Sequence, residues 1–358
     1  MKIARLLLLG LLAAPLGCEN TPEPVTPQNP PADTPPPLES AKPAEPSAEE
    51  LARKAEEEKK KAEAEKKKAE AAKKLAADWA QLEEDTRAEE TRWTPALHAE
   101  AKKLATRHAT LASALKAVLK GKHRKPQSAA RDKHRHPLET LKFFGLEPGM
   151  AVLEYSPGEG WYTELLAPTL AAKGKLFVNI GDAKGPADQR GTYYAERLRR
   201  FLDRAPEVYG KVERIQTVTP VPSFGIEGKL DMVIVCRAMH GMHRNKVLDG
   251  FLGEVHKALK PGGVLGVEQH RAAEGQNPDE TAKNGYLPEA WLIKTIEAAG
   301  FELVAKSEVN ANAKDTRDYP EGVWALPPTL ERKDKDREKL LAVGESDRMT
   351  LRFAKKRK

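Results

Sequence analysis

The sequence has 358 residues, which allows two or three domains, with 32% charged residues, only 6% aromatic residues and a formal net charge of +7. Its two cysteines, Cys18 and Cys236, exclude a disulfide framework, and its Lys runs are interleaved with Glu rather than with aromatics, which argues against a nucleic-acid platform. Large apolar residues are scarce in the first third after the leader and dense thereafter, so one sizeable core is expected in the C-terminal two-thirds.

Residues 1–5 form a short basic stretch, and 6–14 form an apolar run too short to span a bilayer but of the form of a secretory signal. The run ends in Ala14-Pro15-Leu16-Gly17-Cys18, which resembles a bacterial lipoprotein cleavage site. That resemblance implies a signal over 1–18, lipidation of Cys18, a lipid anchor in a membrane of the bacterial cell envelope, and a globular domain in the periplasm or at the cell surface. An ordinary secretory signal with an incidental Cys is the alternative.

Residues 19–46 are rich in Pro, Thr, Glu and Ala and read as a disordered linker. Residues 47–121 read as a charged helical or coiled-coil segment. In 47–92 Ala, Glu, Lys and Arg dominate, and Glu and Lys recur at spacings of three and four. Between Lys54 and Lys74 there is no large apolar side chain; Leu75, Trp79 and Leu82 then begin a narrow stripe. Thr94-Pro95 restarts the helix as N-cap and first residue. Leu97, Leu104 and Leu111 follow at seven-residue intervals, with Leu115 and Leu119 behind, and Gly121 is expected as the C-cap. The first helix suits a spacer or a coiled-coil partner; the second suits docking on the globular domain or a coiled-coil seam.

Residues 122–358 alternate between apolar runs and helical patterns. Strands are expected at 151–155, 175–180, 212–218, 230–236, 264–267, 301–304 and 349–353, and helices at 137–144, 161–172, 193–202, 245–259 and 288–299. Such alternation implies an α/β fold with a parallel sheet covered on both faces, and a ligand at the C-terminal ends of the strands. Gly158-Glu159-Gly160, between the first strand and the next helix, stands at that place. Thr163 occupies the position where a dinucleotide fingerprint needs its third Gly, so NAD and FAD are disfavoured. Cys236 lies in an apolar run and reads as a small buried residue.

Glu154-Tyr155-Ser156-Pro157-Gly158-Glu159-Gly160-Trp161-Tyr162-Thr163 resembles motif I of the class I S-adenosylmethionine (SAM) methyltransferases. It most resembles a bacterial group of predicted methyltransferases, often exported, with a Pro-Gly-x-Gly-Trp-Tyr-Thr loop. Arg135-His136-Pro137, His240, Leu259-Lys260-Pro261-Gly262-Gly263 and Glu268-Gln269-His270-Arg271-Ala272 fit the same group, so the similarity covers about residues 126–358. The resemblance implies a Rossmann-like methyltransferase fold, a parallel sheet with an antiparallel last strand. It implies S-adenosyl-L-methionine as cofactor and a small molecule, lipid or envelope component as methyl acceptor. Glu154, Ser156, Gly158 and Gly160 would form the cofactor loop. Asp182 is the nearest candidate for the ribose hydroxyls, since no acid stands at the tip of the second strand. His240 would face the transferred methyl as a general base, a satisfied histidine being the equal alternative. His136, Arg237, His270 and Arg271 would line the substrate mouth. His240-x-x-His243 and His134-x-His136 lack the Cys or carboxylate partners of a metal site, so none is expected. Export sets the chain apart from the cytoplasmic supply of SAM, and keeps open a second function: a non-catalytic ligand- or partner-binding lipoprotein on a degenerate methyltransferase fold.

Overall fold

The computed structural model describes residues 47–106, 110–217, 222–331, 334 and 336–357. The predicted signal with Cys18, the linker over 19–46 and the end of the predicted third strand at Val218 lie outside the described residues. The chain divides into two compact units, 1–62 and 63–358.

Helix α1 (Ala48–Arg92) is continuous, and every residue from 48 to 74 is exposed. Its outer part is held by helix propensity and by fully solvated pairs such as Glu56–Lys60 and Glu63–Lys67, which add little. From Leu75 the helix acquires a buried face: Leu75 and Leu82 are buried, and Trp79 meets Tyr193 edge-on at 5.4 Å.

The predicted second helix is two helices, α2 (Pro95–Leu104) and α3 (Leu111–Leu119). The seven-residue leucine spacing concealed a capping box: Thr110 accepts from the Ser113 amide at 3.1 Å while the Ser113 hydroxyl accepts from the Thr110 amide. Gly121 is not left-handed and is no C-cap; α3 closes on Lys120 (φ −87°). The glycine answers to packing, because a Cβ there would lie 2.4 Å from the His123 ring. Both helices dock on the helical layer that covers the sheet. Leu97, Leu111, Leu115 and Val118 share a core cluster with Leu165 and Leu166, so the unit holding the sheet starts well before residue 122.

The remaining elements, in order, are α4 (Pro126–Ala129), α5 (Asp132–Arg135), α6 (Pro137–Phe144), β1 (Ala151–Tyr155), α7 (Thr163–Leu170), β2 (Lys175–Ile180), α8 (Arg190–Asp203), α9 (Pro206–Tyr209), β3 (Glu213–Gln216), β4 (Leu230–Cys236), α10 (Met239–Arg244), α11 (Leu248–Ala258), β5 (Leu259–His270), α12 (Pro278–Thr281), α13 (Glu289–Ala298), β6 (Phe301–Ser307), α14 (Arg337–Val343) and β7 (Arg348–Lys355). The predicted helix over 245–259 is thus α11, and α10 before it was not expected; the two are separated where Lys246 turns left-handed at φ 58°.

The seven strands form one sheet in the order β3-β2-β1-β4-β5-β7-β6. The five from β3 to β5 are parallel, and β7 runs antiparallel between β5 and β6. Side chains alternate across the sheet. Val152, Met232 and Ile234 pack under α2, α3, α7 and α8, whereas Leu153, Val233 and Val235 pack under α11 and α13. Burial on both faces explains why these strands read as unbroken apolar runs. Among the described residues, no helix is long and apolar enough to cross a membrane.

Candidate functional site

Chain connections leave β1 toward β2 and β3 on one side and reach β4 and β5 on the other, so the sheet's switch point lies at the C-terminal ends of β1 and β4. Glu154 sits in β1 at that end, 4% exposed, and accepts a hydrogen bond from the Thr163 hydroxyl at 2.6 Å. Burial pushes its carboxyl up to about 7, against the pull of the Thr163 hydroxyl and amide.

The chain then turns left-handed three times in five residues, at Ser156 (φ 58°), Gly158 (φ 61°) and Gly160 (φ 81°). For a non-glycine such as Ser156 this backbone is costly and must be held by its surroundings. The Ser156 amide donates to Asn179 Oδ1 at 2.6 Å, which ties the loop to the end of β2. The two glycines differ. A Cβ on Gly158 would meet nothing within 4 Å, so its open side faces space that a ligand can enter. A Cβ on Gly160 would lie 2.7 Å from the Phe201 ring, so that glycine is required by the approach of α8. Glu159 is exposed and paired with Arg197 at 3.0 Å. Asp182 is exposed, and its Oδ1 accepts from the Lys184 amide at 2.8 Å.

On the other side of the switch point, Cys236 stands opposite Glu268 in the β4–β5 ladder. Cys236 packs against the core, and burial pushes its thiol well above the ordinary range. Arg237 is left-handed (φ 57°), and its amide donates to the Glu268 carbonyl at 2.6 Å. His240, on α10, lies with its ring centroid 5.9 Å from that of His270 and 6.1 Å from that of Trp324. Its protonation follows from Gln269. The Gln269 carbonyl oxygen accepts from the Met239 amide and its Nε2 donates to the Gly285 carbonyl, so Nε2 also donates to His240 Nδ1 at 3.2 Å. The His240 proton therefore sits on Nε2. Burial lowers its pKa to about 4. The open edge of the ring is a donor, and the nitrogen able to take a proton is already engaged, so this arrangement does not favour the expected general base.

Of the expected mouth residues, Arg237 and His270 lie at this edge, His270 hydrogen-bonded to the Ser346 hydroxyl. Two others are engaged elsewhere. Arg271 spans Asp347, Glu289 and Glu308 at 2.9–3.0 Å, which neutralises its charge and makes it a tie between β5 and the C-terminal segment rather than a mouth residue. His136 is left-handed (φ 40°) and faces Asn310 at 3.4 Å, an amide that also bonds Thr140 and Thr350. Among the described residues, no group of three or more His, Cys, Asp or Glu is placed to hold a metal.

Sequence reading missed a buried ionic cluster at the same edge. Glu345 accepts from Arg131 (2.8 Å), Arg135 (3.0 Å) and Arg348 (2.6 Å), and stands 3.7 Å from Arg237. Arg348 also meets Glu268 at 3.0 Å, and Glu268 accepts from the Tyr162 hydroxyl at 2.9 Å. The one sequence signal was Arg135 in the Arg-His-Pro triplet; Glu345 and Arg348 lie some two hundred residues away. A separate cleft of about 870 Å³ runs between α1 and α8, lined by Trp93, Tyr193, Tyr194 and Arg197 among others, and shares only Glu159 with the strand ends.

No protein-family model matches the chain. A curated sterol 24-C-methyltransferase of Yarrowia lipolytica is 28% identical over 214 residues, 56% of this chain and 49% of that protein, so the chain spans about half the length of the curated relative it matches. Among solved structures, a SAM-dependent methyltransferase from Aquifex aeolicus is similar at 18% identity and a TM-score of 0.41, over 68% of this chain and 98% of that one. A Burkholderia thailandensis 1,6-didemethyltoxoflavin-N1-methyltransferase with bound S-adenosylhomocysteine is similar at 14% identity and a TM-score of 0.39, over 62% of this chain and 77% of that one. The strand order, with its five parallel strands and antiparallel β7, is that of the Rossmann-like methyltransferase fold.

Proposed function

We propose that this chain is a SAM-dependent methyltransferase acting on a small molecule, lipid or envelope component. The observation that carries the reading is the loop after β1: three left-handed residues at the switch point, an open side at Gly158, and a buried acid, Glu154, near the end of β1. Motif I resemblance and similarity to a curated methyltransferase support it. The loop residues fit the cofactor: Gly158 admits close backbone approach, Glu154 lies near the end of β1, and Asp182 stands beyond β2. When bound, SAM supplies a methyl group on a positively charged sulfur. Glu154 and Ser156 keep the loop in place through Thr163 and Asn179. His240 offers an N–H that orients an acceptor oxygen or nitrogen, with Gln269 fixing its tautomer.

The test is calorimetric titration of SAM and S-adenosylhomocysteine (SAH) into the full chain and into Gly158→Val. Micromolar binding, weakened at least about tenfold by a side chain in the open face of the loop, is expected. No heat and no thermal shift at millimolar ligand would overturn the enzyme reading and leave a non-catalytic binding module on this fold.

The signal-like residues 1–18 further support lipidation at Cys18 and a place at a bacterial envelope membrane. Labelled palmitate incorporated in bacterial cells by the wild type and not by Cys18→Ala is the expected result; equal labelling removes the anchor. The exposed stretch 48–74 of α1, which offers no apolar stripe to a coiled-coil partner, fits a spacer.

A further inference from the structure

The cluster around Glu345 carries more positive than negative charge in a poorly solvated place. Four guanidinium groups, those of Arg131, Arg135, Arg237 and Arg348, face two carboxylates, Glu345 and Glu268, which are 4% and 0% exposed. Arg348 donates to Glu345 and to the His134 carbonyl, and its Nε stands 3.0 Å from Glu268. Arg135 uses only Nε, its guanidinium lying 4.7 Å over the Trp161 ring. Arg131 donates from Nε alone, and its two terminal nitrogens have no acceptor among the described residues. Arg237 has no side-chain hydrogen bond among them at all. Arg131 and Arg237 each keep 22% of the side chain exposed, so these uncommitted donors reach solvent. A largely buried guanidinium is normally paired. Arg131 and Arg237 share their one carboxylate, Glu345, with Arg135 and Arg348, so positive charge is in excess at this edge and an added anion would balance it.

We infer that Arg131 and Arg237, seated on the Glu345 network, form an oxyanion site where the C-terminal ends of β4 and β5 meet the start of β7, and that it takes a carboxylate or phosphate group of the methyl acceptor. The planar fork of Arg suits both groups. The assignment to the acceptor rests on the methyltransferase reading; the anion site itself does not. Neighbouring histidines do not add to the charge. Burial first, and the positive charge of Arg348 among the other causes, hold His134 and His270 below the ordinary His value. The anion acts as a handle that positions the acceptor beside Arg237 and His240, three residues apart at the end of β4. The same chemistry has a second source, the methionine carboxylate of SAM, and the experiment separates the two.

Thermal unfolding of the full chain is followed in sodium phosphate and in sodium acetate, each against sodium chloride at matched ionic strength, with SAH affinity measured in parallel. Arg131→Gln and Arg237→Gln are the variants, with Arg237→Lys as the conservative control. A ligand that binds only the folded state raises its melting temperature. The expected result is a saturable stabilisation of the wild type by phosphate or acetate beyond chloride. Its midpoint should move at least about tenfold in both Gln variants and less in Arg237→Lys, with SAH affinity kept within about twofold. Phosphate and acetate acting no differently from chloride on the wild type would overturn the site without reference to any variant. Full anion binding in both Gln variants would overturn it as well. A tenfold loss of SAH affinity in either variant would assign the arginines to the cofactor's carboxylate and end the acceptor reading. Anion binding in a chain that does not bind SAH at all would remove the methyltransferase reading, and the acceptor assignment with it.

Discussion

The two halves of the sheet's C-terminal edge are built by different physics. On the β1–β2 side the working parts are mostly backbone: a loop turned left-handed at Ser156, Gly158 and Gly160, tied down by one amide to Asn179 and followed by Thr163, which bonds one buried acid. The two hydrogen bonds that hold it, Ser156 to Asn179 and Thr163 to Glu154, span 23 and 9 residues of chain. On the β4–β5–β7 side the parts are charged side chains brought together across more than two hundred residues, as in Arg131–Glu345 and Arg135–Glu345. A loop that admits backbone approach needs conformational freedom, which a few local residues supply. An ionic cluster needs several buried charges around shared partners, which only tertiary assembly supplies.

The largest effect is expected where that ionic assembly is broken. Glu345 holds three arginines while only 4% exposed. Its pKa is held below the ordinary range: burial opposes ionisation, but the guanidinium charges of Arg348, Arg131 and Arg237 outweigh it. Glu345→Gln leaves these cations without their common partner, and a loss of about 3–5 kcal/mol in urea unfolding at pH 7 is expected. Because the folded pKa is lowered, the wild-type advantage is full above the ordinary Glu value and is lost as pH falls below it and on through the lower folded value. A loss under about 1 kcal/mol would place the cluster among weak surface pairs and erase the contrast with the loop side.

Glu154 tests the loop side with the opposite sign. The unfolded chain releases this proton near 4.5, whereas the folded chain keeps it to about 7. Between those values the folded state binds more protons, so stability falls as pH rises and then levels off. The gap corresponds to roughly 3 kcal/mol at most. Glu154→Gln keeps an acceptor for the Thr163 hydroxyl and removes the titration. It should therefore unfold at the same denaturant concentration as the wild type at about pH 4 but at a higher one at about pH 8. A variant advantage equal at both values would show that the carboxyl does not titrate in this window.

The same contrast governs what the sequence could disclose. β1, β2 and β4 were legible to within a residue, because burial on both faces leaves an unbroken apolar run with turn residues at each end. The glycine loop was legible because Gly158 and Gly160 are local signals, although only the structure separates the open Gly158 from Gly160, which Phe201 requires. The division of α2 from α3 was hidden because Thr110 and Ser113 start a new helix by side-chain capping, which leucine spacing does not register. The arginine cluster was hidden more deeply. Charged residues read by default as solvated, and nothing near Arg131 in the chain points to Glu345. By the same limit Arg271 looked available in the sequence, while three carboxylates engage it in the fold.

The smallest effect should come from Asp182, and it bears on whether the loop side needs a charge at all. Its carboxylate is exposed and closes a short turn onto the Lys184 amide. Asp182→Asn retains the oxygen that closes this turn and removes only the charge, so melting should not change. If the carboxylate accepts the ribose hydroxyls, SAH affinity should weaken about threefold to tenfold in calorimetry, the scale of one ordinary net hydrogen bond, since the amide keeps an acceptor and loses only the charge. An unchanged affinity would move the ribose contact to the tip of β2. There Asn179 already gives its oxygen to the Ser156 amide and has only its NH₂ group left to offer. Asn179→Ala would then lower affinity and melting temperature together, because one side chain would be serving both the cofactor and the left-handed turn that admits it.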